Sequence, residues 1–379
     1  MDQFQSADAL QRDRLLSRAI PGHSETDRSV RSWLGKTLNV PSTYVESASR
    51  WLSLDMRHAA TAGDAERSLA DATALFRLAS SVSSYRPDER RASQQLTLEA
   101  INSVLRLLAQ TPLLFTPEQL ESLAHRIDKI TDAELGIDLE SLDALGDISL
   151  DRAFDQQGRM RSDRAASYYV ERRPGLEWLP KGIKGLLAPL STILQGDRSS
   201  FARGKDRWLA TVRSLTEKTP WTVDSSDLRA LARSERSRPW WSNDGSLSSD
   251  IGILPFTADE LRRAVALRTR RDVARIAIAL LRHRLAHDSW PLTLNDLVPK
   301  FLAAAPLDPF DGQPLRLAVV DDRASIWSVG PDRVDDGGPL STVQILPDSG
   351  DLNSWPPTDH VFKGDLVLWE QALSTIAPR

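Results

Sequence analysis

Leu285-Ala286-His287-Asp288-Ser289-Trp290-Pro291, Leu307-Asp308-Pro309-Phe310-Asp311-Gly312-Gln313-Pro314-Leu315 and Ser328-Val329-Gly330-Pro331-Asp332 follow one another in the last quarter of the chain. The first segment ends an apolar helical pattern at an aromatic–proline pair, where a helix cannot continue. The second carries Asp-Pro and Asp-Gly, two strong turn signals. Between the second and third lies a short strand. The order helix, turn, small sheet, Gly-rich loop predicts an α+β unit of a long helix feeding a small antiparallel sheet. Asp335-Asp336-Gly337-Gly338 and Gly350-Asp351-Leu352-Asn353-Ser354-Trp355 close the series.

Upstream, Thr257-Ala258-Asp259-Glu260 is a capping box that opens this helix. Leu261, Ala264, Val265, Val273, Ile276, Ala277, Leu280, Leu281 and Leu285 then recur at helical spacing. Unbroken to Ala286, the helix spans roughly 45 Å at about 1.5 Å per residue. Arg262, Arg263, Arg268, Arg270 and Arg271 on its first half are expected to be solvated.

Residues 1–150 read as a helical domain. Apolar residues recur at three- and four-residue spacing over 67–83 and 93–110, and Thr116-Pro117-Glu118-Gln119 and Thr131-Asp132-Ala133-Glu134 are helix starts. Glu134, Asp138, Glu140, Asp143, Asp147 and Asp151 form an acidic, loop-like stretch, expected to be a solvated face. Residues 151–253 form an irregular, aromatic-rich region, and 254–379 hold the long helix with its head. Tyr168, Tyr169, Trp178, Trp208, Trp221, Trp240 and Trp241 lie among arginines in the middle region. Such rings fill seams between layers or meet a partner. Ser, Arg, Asp and Gly over 233–253 predict a linker or long loop.

Composition narrows the classes. At 379 residues, 41% hydrophobic and 26% charged, the chain is globular and large enough for more than one domain. A net charge of −4 gives no global attraction to nucleic acid or to an anionic membrane. The absence of cysteine removes disulfides, thiolate metal sites and cysteine nucleophiles. No apolar run is long enough for a membrane span or signal peptide. The location is therefore cytoplasmic, or extracytoplasmic at the cell envelope if an N-terminal anchor precedes this sequence.

His283 and His287 are four apart on one helix face, within reach of a shared metal. The glutamate of a zinc-protease helix is missing, and no third ligand has motif spacing, so the pair reads as helix-end residues that hydrogen-bond or meet solvent. No phosphate loop, nucleophile elbow or kinase signature occurs. Asp308, Asp311, Asp321, Asp322, Asp332, Asp335, Asp336, Asp348, Asp351 and Asp365 crowd into the C-terminal loops among Gly and Pro. Hard oxygen ligands on tightly turning backbone suit calcium, but Asp332 does not start an EF-hand, because the twelfth position is Val343.

The ordered elements 285–291, 308–310, 328–332 and 351–355 resemble the globular head of the type II secretion major pseudopilins. The resemblance covers about a quarter of the chain, and extends to a broader set of bacterial proteins in which a leucine-rich helical region precedes the same head. It implies a calcium ion pinning the last loop, with Asp332 and Asp351 as side-chain ligands and Val329 and Val334 as carbonyl ligands. Asp335 can replace either acid, and Gly364-Asp365-Leu366-Val367 is a competing element. The processing site and apolar assembly helix of those proteins have no counterpart here, so polymerisation by helix stacking is not implied. Trp290, Phe310 and Trp327 would anchor sheet to helix.

The function expected is a non-catalytic, calcium-stabilised interaction protein of a bacterial envelope or secretion-related assembly, binding a protein partner and not nucleic acid. Two alternatives stand beside it. One is a carboxylate hydrolase with a cleft between helical domain and head. The other is a helical adaptor whose head binds no metal.

Overall fold

The computed structural model describes residues 42–81, 87–159, 198–223, 226–227, 258–330, 332–338, 344–345 and 366–370. Within them the class is α+β: helices dominate, and one small sheet closes the chain. Helices α1 (Ser42–Thr61), α2 (Ala65–Ser81) and α3 (Pro87–Gln110) pack in succession. Gly63, at φ 77°, makes the turn between the first two, where a left-handed residue is needed. Helices α4 (Pro117–Asp128) and α5 (Asp132–Leu135) start at Thr116 and Thr131, and both expected capping boxes form.

Helices α6 (Leu139–Ala153) and α7 (Arg198–Glu217) pack on each other, with Phe154 and Phe201 meeting at 5.2 Å. The acidic stretch expected as loop is thus largely helix α6. Four-residue spacing puts Asp143 and Asp147 on one face. Both hold the ammonium of Lys205, which is only 5% exposed. Burial disfavours that charge, but the bonds and charges of the two acids outweigh it and raise the lysine above its ordinary range.

Helix α8 (Ala258–His287) is the predicted long helix and the centre of the molecule. It packs against α3, α4 and α5, and also against the head. With neighbours on both sides, its apolar positions Val273, Ile276, Ala277, Leu280 and Leu281 are almost fully buried. The same crowding corrects the expectation of solvated arginines. Arg262, Arg270 and Arg271 are buried, because at these turns the helix has no free face. Two of them satisfy backbone: Arg270 donates to Leu368 O at 2.8 Å and Arg271 to Ile130 O at 3.1 Å.

The sheet has the order β1-β2-β4-β3. Strands β1 (Arg316–Val320), β2 (Arg323–Ser328) and β4 (Leu366–Glu370) are antiparallel, while the two-residue β3 (Gln344–Ile345) runs parallel to β4. Asp321 and Asp322 form the β1–β2 turn with φ of 50° and 58°. That is a two-residue primed turn, which Asp tolerates and the strand twist favours. Strand β4 docks onto α3 and α8, and Trp369 Nε1 donates to Leu105 O at 3.0 Å.

One hydrophobic cluster runs from Met56 and Leu75 through α3, α4 and α8 to Leu315, Ile326 and Trp369. Phe310 and Trp327 are buried as expected of anchors, and the half-buried Trp290 donates its indole N–H to Asp322 O at 3.0 Å. Trp208 and Trp221 occupy seams: the former flanks the cluster, and the latter lies on Gly312. The other middle-region aromatics, the 233–253 stretch and its domain boundary, Asp348, Asp351 and Asp365 lie outside the described residues. No described helix is long and apolar enough to cross a membrane.

Candidate functional site

The turn at 307–315 folds on itself before it meets anything else. Asp308 N–H donates to Gln313 O at 2.7 Å, Gly312 N–H to Asp308 O at 3.0 Å, and Leu315 N–H to Pro306 O at 3.0 Å. Gly312 takes φ 75°, and a Cβ there would stand 2.7 Å from the Trp221 ring. These contacts drive the Asp308 side chain inward, where the residue is fully buried.

A buried carboxylate needs donors for its lone pairs. Asp308 Oδ1 accepts from Phe310 N–H and from the Ser328 hydroxyl, both at 2.9 Å. Its Oδ2 accepts from Val329 N–H at 2.9 Å and from Arg316 Nη1 at 3.1 Å. Ser328 Oγ in turn accepts from Gly330 N–H at 3.1 Å. One acid therefore clasps the Asp-Pro turn to the Ser-Val-Gly loop. Burial pushes its carboxyl above the ordinary range, against the pull of the two N–H groups and the hydroxyl.

Asp311 stands beside it under a different balance. Burial would raise its carboxyl, but the Arg316 guanidinium and the Gln313 N–H bind the charged form and hold it below the usual range. Arg316 bridges the two acids, and its Nε lies 3.7 Å from Asp335 Oδ2.

The loop at 332–338 leaves the clasp for the surface. Gly330, Arg333, Gly337 and Gly338 all have positive φ, so the backbone curls repeatedly. Gly338 closes on Trp327, where a Cβ would come within 2.5 Å of the indole. Asp335 is tied to the sheet: its Oδ1 accepts from Trp327 Nε1 and from Gly337 N–H, each at 3.2 Å. Asp332 is exposed, and its Oδ1 accepts from Val334 N–H at 3.3 Å. Val334 is 54% exposed, whereas Val329 is buried with its N–H held by Asp308.

Among the residues singled out from sequence, the structure thus places Val329, Asp332, Val334 and Asp335 within one short loop region. Asp351 and Asp365 lie outside the described residues. Among the described residues, no three His, Asp or Glu side chains gather to hold a metal. His283 and His287, at the end of α8, both hydrogen-bond to backbone carbonyls.

Two residues that organise the head were not read from sequence. Asp308 was one acid among many. Its signal was the pairing of a turn-forming Asp-Pro with a distant Ser-x-Gly, since a buried Asx turn needs an outside donor. Trp369 ends the apolar run Leu366-Val367-Leu368-Trp369, the pattern of a buried central strand. Compared with protein-family models, curated proteins and solved structures, the chain matches none.

Proposed function

We propose that this chain is a non-catalytic interaction protein of a bacterial envelope or secretion-related assembly. In this reading the helices are a scaffold, and the head is a docking module for a protein partner, steadied by calcium. The observation that carries it is the Asp308 clasp. Its four donors fix the origin of the 332–338 loop, and they project that loop outward on a rigid base. A presented, positive-φ loop on a buried polar anchor suits recognition.

The same bonds occupy Asp308 and Asp311, so these two acids do not supply the pair that a carboxylate hydrolase with a cleft between helical domain and head would need. Asp308 and Asp311 are close, but each is engaged by structural donors and by Arg316. In this reading calcium would take its oxygens from the loop. Asp332 and the Val334 carbonyl offer hard oxygens on the exposed loop, and the Val329 carbonyl and Asp351 would complete the set. Asp335 is the poorer ligand, because the Trp327 indole and Arg316 already attend it. Bound calcium would supply stability by mass action and no chemistry. A calcium-dependent head would work best outside the cytoplasm, where that ion is abundant.

A thermal melt of the full chain in EDTA, then in millimolar calcium or magnesium, tests the reading. We expect a rise of several degrees with calcium alone, abolished by Asp332→Ala. Identical melts in all three buffers would remove the metal and leave the adaptor with a metal-free head.

A further inference from the structure

Two histidines stand together on the last turn of α8. His283 and His287 lie one above the other there, with ring centroids 4.2 Å apart and planes inclined by 30°. The edge of Phe301 fixes both, at 5.8 Å from the first ring and 6.1 Å from the second. Each Nδ1 faces a backbone carbonyl: Ser289 O at 2.9 Å for His283, and His283 O at 3.1 Å for His287. A carbonyl only accepts, so both Nδ1 atoms carry the proton when the rings are neutral. The unshared pair of each ring then resides on Nε2, and among the described residues neither Nε2 has a hydrogen-bond partner. A carbonyl on Nδ1 with a bare Nε2 is the state in which histidine binds a metal.

We propose that His283 and His287 form a two-imidazole site for a late first-row divalent ion such as nickel, copper or zinc, with water completing its coordination. Two further features bear on it. The helix ends here, with Asp288 in the left-handed conformation at φ 51°, so the partial negative charge of the last carbonyls favours a cation.

The nearby cations are held by partners of their own. Arg282 pairs with Glu121 and lies 5.5 Å from the Phe301 centroid. Arg284 pairs with Asp322 and lies 5.7 Å from Trp290. Lys300 lies 5.1 Å from Phe301. Two imidazole nitrogens do not suit hard ions such as calcium or magnesium, which take oxygen ligands. Binding has to come from the nitrogen donor bond, which strengthens towards copper. The site is therefore independent of the loop at 332–338 in both residues and ion class.

The test is titration of the full chain with nickel chloride, alongside calcium chloride, followed by calorimetry. One nickel per chain should bind, with affinity falling at least about tenfold in His283→Asn and in His287→Asn. Asp332→Ala should leave it unchanged. Nickel affinity that is equal in wild type and the double variant would overturn the proposal. Electron paramagnetic resonance of the copper-loaded wild type gives a readout that needs no variant. Hyperfine structure from two equatorial nitrogens supports the pair, and a spectrum with fewer refutes it.

Discussion

Two turns in this molecule are held by charged side chains of opposite sign. The segment 130–136, between α4 and α6, ends in carbonyls that no helix satisfies. Arginines supply the donors: Arg271 to Ile130 O, and Arg90 to Ala133 O and Gly136 O. Gln94 adds bonds to Leu135 O and Gly136 O. The segment 308–330 presents the reverse problem, free N–H groups in a buried loop, and one carboxylate answers it. The difference lies in how the burden is shared. Two arginines, one buried and one partly exposed, share the first turn with Gln94, while a single fully buried acid holds the second. The first should degrade gradually and the second should fail at once.

The largest effect should therefore follow Asp308→Ala. It leaves the Phe310 and Val329 N–H groups, the Ser328 hydroxyl and the Arg316 guanidinium with a missing acceptor in a buried site. Breaking a buried charged group away from its partners costs about 3–5 kcal/mol. Urea melts of wild type and variant measure it. A loss no greater than that of an ordinary surface substitution would mean that the clasp is not what holds the head.

Arg271→Met comes second. The stem's apolar volume is kept, while the bonds to Ile130 O and to the Asp132 carboxylate go. Arg90 and Gln94 remain on the neighbouring carbonyls, and Asp132 is well exposed to water. A loss of about 2 kcal/mol is expected for a buried charged donor under these conditions. If the same urea series shows Arg271→Met costing more than Asp308→Ala, the contrast between shared and single anchors is wrong.

The two turns also differ in how far sequence reveals them. Capping boxes at Thr116 and Thr131 and the apolar repeat of α8 are local, so spacing alone located those helices. The helix–turn–sheet order of the head was legible for the same reason. Arg270, Arg271 and Arg90 were misread or passed over because their partners lie far along the chain. Arg271 meets Ile130, 141 residues away, and Arg270 meets Leu368, 98 residues away. Nothing within a window of sequence distinguishes such an arginine from a solvated one. Asp308 is an intermediate case: its own turn is local, but the Val329 N–H that makes it essential is 21 residues on. His283 and His287 were visible as a spaced pair, but the carbonyls that orient their nitrogens appear only in the folded chain.

The smallest effect is the most discriminating, because it differs in sign. At Asp132 burial raises the carboxyl, but the bond and charge of Arg271, with Arg268 and Arg275, outweigh that and leave it below its ordinary value. Such a group stabilises the fold above the unfolded carboxylate range, and that stability is lost as pH falls through the depressed folded value. At Asp308 burial wins, and the folded state holds its proton more tightly than the unfolded chain does. Its contribution is most favourable in acid and declines as pH rises from the ordinary carboxylate range through the raised folded value. Stability curves for wild type, Asp132→Asn and Asp308→Asn against pH separate the two. The advantage of wild type over Asp132→Asn should grow towards neutrality, modestly, since water screens that exposed acid. The margin between wild type and Asp308→Asn should move the other way. Parallel curves would mean that Arg316 and the backbone donors fully offset the burial of Asp308. The carboxylate clasp would then be as insensitive to acid as the arginines that hold the other turn.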